Sequence, residues 1–343
     1  MMPNEPVRLT PSMILPTSPN FEVEDSQFFK RWTRLPSPEE VRAQAKAQHA
    51  AGVTLDNRKN LSLTGPHVRP PPVVFENLGL FVKWGTATKI SEAQSLYAVG
   101  KYLQGNVPVP QIYGWCVDGA ESFIYMEYMQ GQTLEQVWDT LSPDECVLIC
   151  DELRTICDNL RQLEQDPSDP FIGMFSQVLV LLWYSKFSIL AAFLPLFLTG
   201  NVVRAPLYDR AFHVNYMSEA GPFTTVKEFH DWFTFLPRRP MPDPHSVPIE
   251  PFRQDLPDDS PIKFTHGDLH RSNIVVTRSR PYKVTAVVDW EQSGWLPAYW
   301  ETRKAQYTAD WKEEWSKQYL PMILDQHAST WDPWDYYTTS MGC

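Results

Sequence analysis

Between two β-rich runs, Phe264-Thr265 and Ile274-Val275-Val276, the chain places the polar octet His266-Gly-Asp-Leu-His-Arg-Ser-Asn273. A further apolar run, Val284–Val288, ends on two carboxylates, Asp289 and Glu291, the first of them twenty-one residues after Asp268. Strands that end in such crowded ionisable groups call for a chemical reason, since a packed core has no use for them. The five-residue offset from Asp268 to Asn273 is the informative spacing. A short loop after a strand can aim a base and a metal ligand at opposite ends of one reacting group.

Composition narrows what that chemistry can serve. A chain of 343 residues with 43% apolar content and 13 tryptophans can bury one large core or two modest ones, which predicts a globular protein of two lobes. The net charge of −11 and a pI near 5.2 argue against nucleic acid or an anionic membrane surface as partner, because both are bound through Lys and Arg. A neutral or cationic small molecule fits better. Five cysteines, without a C-x-x-C pair or a secretory leader, predict reduced thiols and a cytoplasmic protein. Cys146, Cys150 and Cys157 fall at helical spacing among Leu153, Ile156 and Leu160 and read as core packing.

Along the chain, the proline-rich first 36 residues read as an extended arm. Ser37-Pro38-Glu39-Glu40 then opens a helix that Gly52 can stop. Val73–Glu76 and Leu80–Trp84, joined by Asn77-Leu78-Gly79, predict a hairpin, and Ile90–Leu103 an amphipathic helix with Glu92 in its first turn. Val107–Tyr113 must be extended around its prolines, Ser122–Tyr128 reads as a strand, and helices are expected from Thr133 and from Ser142 to about Leu163. Pro237–Pro261 reads as a surface loop whose Asp243, Glu250, Asp255, Asp258 and Asp259 could attract an amine. A Trp-rich helical stretch is expected from Tyr299 to Gln318.

His266 to Asn273 has the H-x-D-L-x-x-x-N spacing of a kinase catalytic loop, and Asp289 stands where the aspartate of D-F-G would, within the triplet Asp289-Trp290-Glu291. The upstream partners that such a site needs are present in order: Lys83 on the strand Leu80–Trp84, and Glu92 nine residues later. On these residues, with Val107-Pro-Val-Pro110, Tyr125-Met-Glu-Tyr-Met129 before Gly131, and Ser293–Glu301, the chain resembles the aminoglycoside phosphotransferase / choline kinase-like family of small-molecule kinases over roughly residues 60–320. The resemblance implies an α+β, protein kinase-like fold of two lobes, a small β-rich N-lobe at 60–129 and a larger, mainly helical C-lobe at 130–330, preceded by an arm and helix at 1–59. It implies ATP and Mg²⁺, Asp268 as catalytic base, Asn273 and Asp289 as metal ligands, and Lys83 as phosphate clamp oriented by Glu92. Backbone groups at Glu127, Tyr128 and Met129 would hold adenine. The acceptor would be a hydroxyl of a small molecule.

The pattern departs from protein kinases in two places. No G-x-G-x-x-G precedes Lys83, only Gly65, which keeps open a pseudokinase that binds nucleotide or partners without turnover. Asp289 is followed within eight residues by Trp295-Leu-Pro297, which favours a small substrate over a protein one. A zinc site on His266 and His270 is disfavoured, because Gly267 stands where H-E-x-x-H has its glutamate. His266 is expected to brace the loop backbone, while His270 and Arg271 could contact phosphate or face solvent. Val178–Leu198 is long enough to span a bilayer, but a span there would separate Lys83 and Glu92 from Asp268, Asn273 and Asp289, so no membrane span is expected. Residues 178–204 read instead as an apolar insertion.

Overall fold

Alternation sets the strand that carries Lys83. Leu80 and Val82 are buried on one face, while Phe81 and Lys83, half-buried, turn to the other. The computed structural model describes residues 6–9, 16, 18–52, 70–175, 204–212, 220–246 and 252–341. Its N-terminal elements are β1 (Val7–Arg8), β2 (Phe21–Glu22), α1 (Pro38–Ala50), β3 (Val73–Phe75), β4 (Leu80–Gly85), α2 (Ile90–Tyr102), β5 (Ile112–Asp118) and β6 (Glu121–Glu127). There follow β7 (Gln132–Thr133), α3 (Leu134–Val137), α4 (Pro143–Leu160), β8 (Leu163–Glu164), β9 (Met174–Phe175), β10 (Arg204–Ala205) and α5 (Val226–Phe235). The last third holds β11 (Ile262–Thr265), β12 (Ile274–Val276), β13 (Val284–Val287), β14 (Gly294–Pro297), α6 (Trp300–Tyr307), α7 (Leu320–Ile323) and α8 (Trp331–Ser340).

The N-terminal part is an antiparallel sheet in the order β2-β5-β6-β4-β3. The β3–β4 hairpin turns through Glu76–Leu78 and Gly79, whose φ of +60° suits glycine. Helix α1 starts on the expected cap: Ser37 and Glu40 form a reciprocal capping box, with Pro38 in the first turn. Its Val41 packs with Val73, Leu80, Val82, Tyr113 and Phe123. The described part of the arm is built into the body. Phe21 and Glu22 pair with Trp115 and Gly114, and Val7-Arg8 runs parallel to Leu163-Glu164. Runs of two residues carry no periodicity, so these pairings were not visible in the sequence.

The C-terminal part is more helical, which makes the class α+β. Small sheets knit it together: β13-β12-β7, the pair β11–β14 and the pair β9–β10. Helix α4 opens on a second capping box, Ser142 with Glu145, and buries Cys146, Cys150 and Cys157, all free thiols. A second core gathers Ile172, Phe229, Phe233, Tyr299, Trp300 and Trp334. The expected apolar stretch Val178–Leu198, together with Gly65 and Glu250, lies outside the described residues. Its flanks are described: Phe175 and Arg204 are directly opposite one another in the antiparallel β9–β10 pair. Among the described residues no helix is long and apolar enough to cross a membrane.

Candidate active site

Three elements distant in sequence meet at one ammonium. Lys83 Nζ, on β4, lies 2.5 Å from Glu92 Oε1 in the first turn of α2 and 2.6 Å from Asp289 Oδ1 beyond β13. Glu92 is buried, at 2% exposure, so this cation is its counter-charge. Burial alone would lower the Lys83 pKa, but Asp289 and Glu92 together outweigh it and hold the pKa above the usual lysine value. Asp289 itself sits at φ +65°, ψ +60°, a left-handed conformation uncommon outside glycine. Strain of that kind persists where surrounding structure fixes it. Here Trp290 is fully buried, donates from Nε1 to Val287 O at 2.8 Å and packs its ring edge-on to His266 at 4.7 Å.

The loop between β11 and β12 is organised by its own backbone. Gly267 has φ +77°, and a Cβ there would come within 2.4 Å of Gln292 O, so no other residue fits. His266 Nδ1 accepts from the Asp268 amide at 3.2 Å, which makes Nε2 the protonated nitrogen that donates to Val288 O at 3.0 Å. His266 thus braces the loop, as expected. Asn273 donates from Nδ2 to Asp268 O at 2.9 Å and to Asp268 Oδ2 at 3.2 Å, leaving its Oδ1 as an acceptor. Asn273 O accepts from the Val288 amide, and Ile274 pairs with Val287, so Asn273 and Asp289 leave neighbouring strands side by side.

His270 and Arg271, both half-buried, are held by protein partners. His270 Nδ1 meets Ser272 Oγ at 2.8 Å. Arg271 pairs with Glu313 and lies against the edge-to-face pair Trp138–Trp315, 5.6 Å from each ring. With both histidines engaged in the loop, a zinc site there has no support, and among the described residues no group of three or more His, Cys, Asp or Glu could hold a metal. The donor set that remains is one carboxylate, Asp289, and one amide oxygen, Asn273. Hard oxygens in that small number suit Mg²⁺ completed by substrate phosphates. At the end of β6, the Glu127 amide donates to Gln111 O and the Tyr128 amide to Gly79 O, whereas the Met129 amide donates to no described residue. In the acidic loop, Asp258 is held by Arg253 and His230 and is not a free carboxylate.

Sequence reasoning missed the supports of this site. Glu301, 6% exposed, accepts from the His266 amide at 2.6 Å and the Gly267 amide at 3.1 Å, which suspends the loop from α6. Burial pushes its carboxyl pKa up, and His266, the two amides and Arg161 offset only part of that. The buried pair Lys304–Asp209, 2.6 Å apart, holds Gln292 through Lys304 at 3.0 Å, and Gln292 also accepts from the Arg210 amide at 2.8 Å. Charged residues directly after the aromatic pair Tyr299-Trp300 were the signal available for Glu301 and Lys304.

Residues 249–337, which contain the loop, Asp289 and Glu301, match the family described as phosphotransferase enzyme family, APH. That match spans about a quarter of the chain. Among solved structures, the chain is similar to aminoglycoside phosphotransferase APH(4)-Ia, with 12% identity and a TM-score of 0.44 over 88% of this chain and 89% of that one. It is also similar to APH(2")-IIa in its streptomycin-ATP ternary complex, with 13% identity and a TM-score of 0.42 over 78% and 75%. A third is APH(3'')-Id from Streptomyces rimosus in complex with ADP and streptomycin, with 14% identity and a TM-score of 0.40 over 86% and 97%. No curated protein matches the sequence.

Proposed function

We propose that the chain transfers the γ-phosphate of ATP to a hydroxyl of a small molecule, in a cleft between an N-lobe of residues 60–129, braced by the arm and helix of 1–59, and a C-lobe of residues 130–330. The observation that carries this reading is Lys83 Nζ held at once by Glu92 at 2.5 Å and by Asp289 at 2.6 Å, the latter 206 residues away. A cation fixed at that junction is positioned for nucleotide phosphates. Asp268, one-tenth exposed and oriented by Asn273, accepts the proton of the acceptor hydroxyl. The freed oxygen bonds to the γ-phosphorus as the bond to the bridging oxygen breaks, and ADP leaves with that electron pair. Asn273 Oδ1 and the Asp289 carboxylate would hold Mg²⁺, which when bound neutralises phosphate charge. Of the backbone groups at Glu127–Met129, the carbonyls and the Met129 amide would meet adenine. A net charge of −11 favours neutral or cationic acceptors, and the free thiols of α4 suit the cytoplasm.

The test is a panel of amino sugars, choline-like amines, sugars and hydroxylated metabolites, assayed for ATP-dependent phosphorylation. Asp268→Asn is expected to lower turnover by about 10²–10⁴-fold while leaving the Kd for Mg²⁺–nucleotide unchanged. Full activity in that variant removes Asp268 from the role of base. Nucleotide binding without phosphorylation of any acceptor would favour the pseudokinase reading instead.

A further inference from the structure

The proline-rich arm is bonded to both parts of the molecule, through two pieces that are close in sequence. Val7–Leu9 hold the C-terminal part. The Val7 amide donates to Gln162 O at 2.9 Å and the Leu9 amide to Glu164 O at 2.8 Å, and the Leu9 side chain is buried. Glu164 Oε1 is in turn 3.8 Å from Lys263 Nζ on β11, the strand that leads into the Asp268 loop. Pro16 and Ser18–Val23 hold the N-terminal part. Ser18 O accepts from Trp115 Nε1 and Asn20 Oδ1 from the Val117 amide, both at 2.9 Å, and the Val23 amide donates to Tyr113 O at 2.9 Å. From Leu9 to Pro16 the chain takes seven residue steps, which reach at most about 25 Å when fully extended. While their bonds hold, the two anchors cannot part further than that. This limit is separate from the direct connection between β6 and β7.

The arm also grips α2, the helix that carries Glu92. Gln94 is 2% exposed and lies two residues after Glu92, about 200° round the helix, so the two side chains leave α2 on opposite faces. Glu92 meets Lys83, whereas Gln94 meets the arm, its Nε2 donating to Pro16 O at 2.9 Å. The Gln94 Oε1 is buried without a partner among the described residues, so the bond to Pro16 is what fixes this amide. Three residues on, and on the same face as Gln94, Tyr97 packs edge-on against Phe21 of β2 with ring centroids 5.8 Å apart. The helix is thus held between Lys83 on one side and the arm on the other. We infer that the arm is a strap that sets the position of α2 relative to the strand leading to Asp268, with Gln94 as the positioning residue that acts on Glu92 and so on Lys83. The inference rests on the phosphotransferase reading of the cleft. The strap governs the fraction of chains in which Lys83 stands where it meets nucleotide phosphates, and apparent nucleotide affinity scales with that fraction.

Two full-length variants test this. Gln94→Met keeps the length of the side chain but removes its bond to Pro16. An insertion of ten Gly/Ser residues between Met13 and Ile14 leaves every described contact in place and adds about 35 Å to the reach of the connection. Each is expected to raise the Kd for Mg²⁺–AMP-PNP about 3–10-fold by isothermal titration, with a Tm within about 3 °C of wild type. In a Glu92→Gln background, Gln94→Met should raise that Kd no further, because it acts through Glu92. A residue or arm needed only for packing would lower Tm and leave Kd unchanged, and that result in either variant overturns the strap. A Gln94→Met effect of full size in the Glu92→Gln background overturns it equally. Should Gln94→Met fail to fold, the insertion carries the comparison. A wild type that binds no nucleotide would count against the phosphotransferase reading, and hydrogen exchange then decides the strap by itself. The α2 amides of the variants should exchange at least about 10-fold faster than those of wild type while the α4 amides stay unchanged, and equal rates in α2 overturn the strap.

Discussion

Lys83 answers for two carboxylates of different character, and that difference governs what its removal does. Asp289 is a quarter exposed on its side chain and can regain water, whereas Glu92 is 2% exposed and cannot. Lys83→Met is therefore expected to cost stability as well as phosphoryl transfer, because it strands Glu92 in the core without a counter-charge. A loss of about 2–4 kcal/mol, or roughly 3–6 °C in Tm for a chain of this size, is expected from melting curves. Lys83→Met combined with Glu92→Gln should recover at least half of it, since the second change removes the stranded charge. If the double variant is no more stable than Lys83→Met, the two residues are not energetically coupled and Glu92 draws its stability from elsewhere.

At the scale of elements, α5 is fastened to the start of α6 through one fully buried imidazole. His230 lies between Asp258, 2.8 Å from Nδ1, and the Tyr299 hydroxyl, 2.8 Å from Nε2. Burial raises the Tyr299 pKa, so its O–H stays on and donates to Nε2, and the Nδ1–H then donates to Asp258. That leaves no place for a second proton, and burial lowers the His230 pKa to about 4 despite the opposing pull of Asp258. The unfolded chain binds the proton from about pH 6.5 downward while the folded chain refuses it until about 4. Stability is thus present above pH 6.5 and falls as the pH drops through that window, by about 2–3 kcal/mol at pH 4.5, or roughly 3–4 °C in Tm. The lowered pKa values of Asp258 and Asp231 act in the same direction, but below about 3.8, and so do not mimic it. His230→Asn, which keeps a donor for Asp258, should reduce the slope between pH 6.5 and 4.5, the remainder belonging to His327, whose pKa burial also lowers; an unchanged slope assigns it to other groups. No part of this link was legible in the sequence. His230, Asp258 and Tyr299 have no common period, whereas Lys83, Glu92, Asp268, Asn273 and Asp289 could be found because each stands at a set distance from the end of a strand or helix. Glu301 and the Lys304–Asp209 pair escaped for the same reason as His230: their partners are chosen by tertiary packing.

Over the whole molecule, the helices and the hairpin followed from caps and periodicity, while the strand partners Phe21–Glu22 and Val7–Arg8 did not, being short pieces whose pairing is decided by distant residues. One expectation drawn from composition now has a structural frame. The apolar run Val178–Leu198 is bracketed by Phe175 and Arg204, which are cross-strand partners, so the chain enters and leaves residues 176–203 at adjacent points. Arg204, the last residue of the expected 178–204, belongs to β10, and Phe175 to β9. The pair is anchored beneath the site independently of what lies between: Gly173 exchanges two hydrogen bonds with Trp295, at 3.2 and 2.8 Å. A two-residue Asn-Gly connection suits an antiparallel pair of this kind. The chain with residues 176–203 replaced by Asn-Gly is therefore expected to fold, to keep the phosphoryl transfer of the full chain within about 3-fold, and to be more soluble, because a run of that apolarity promotes association wherever it is not covered. Expression yield in the soluble fraction, Tm and transfer rate of the two chains decide the matter. A shortened chain that is insoluble, or whose Tm falls by more than about 5 °C, would show that the segment contributes to the core and is no insertion.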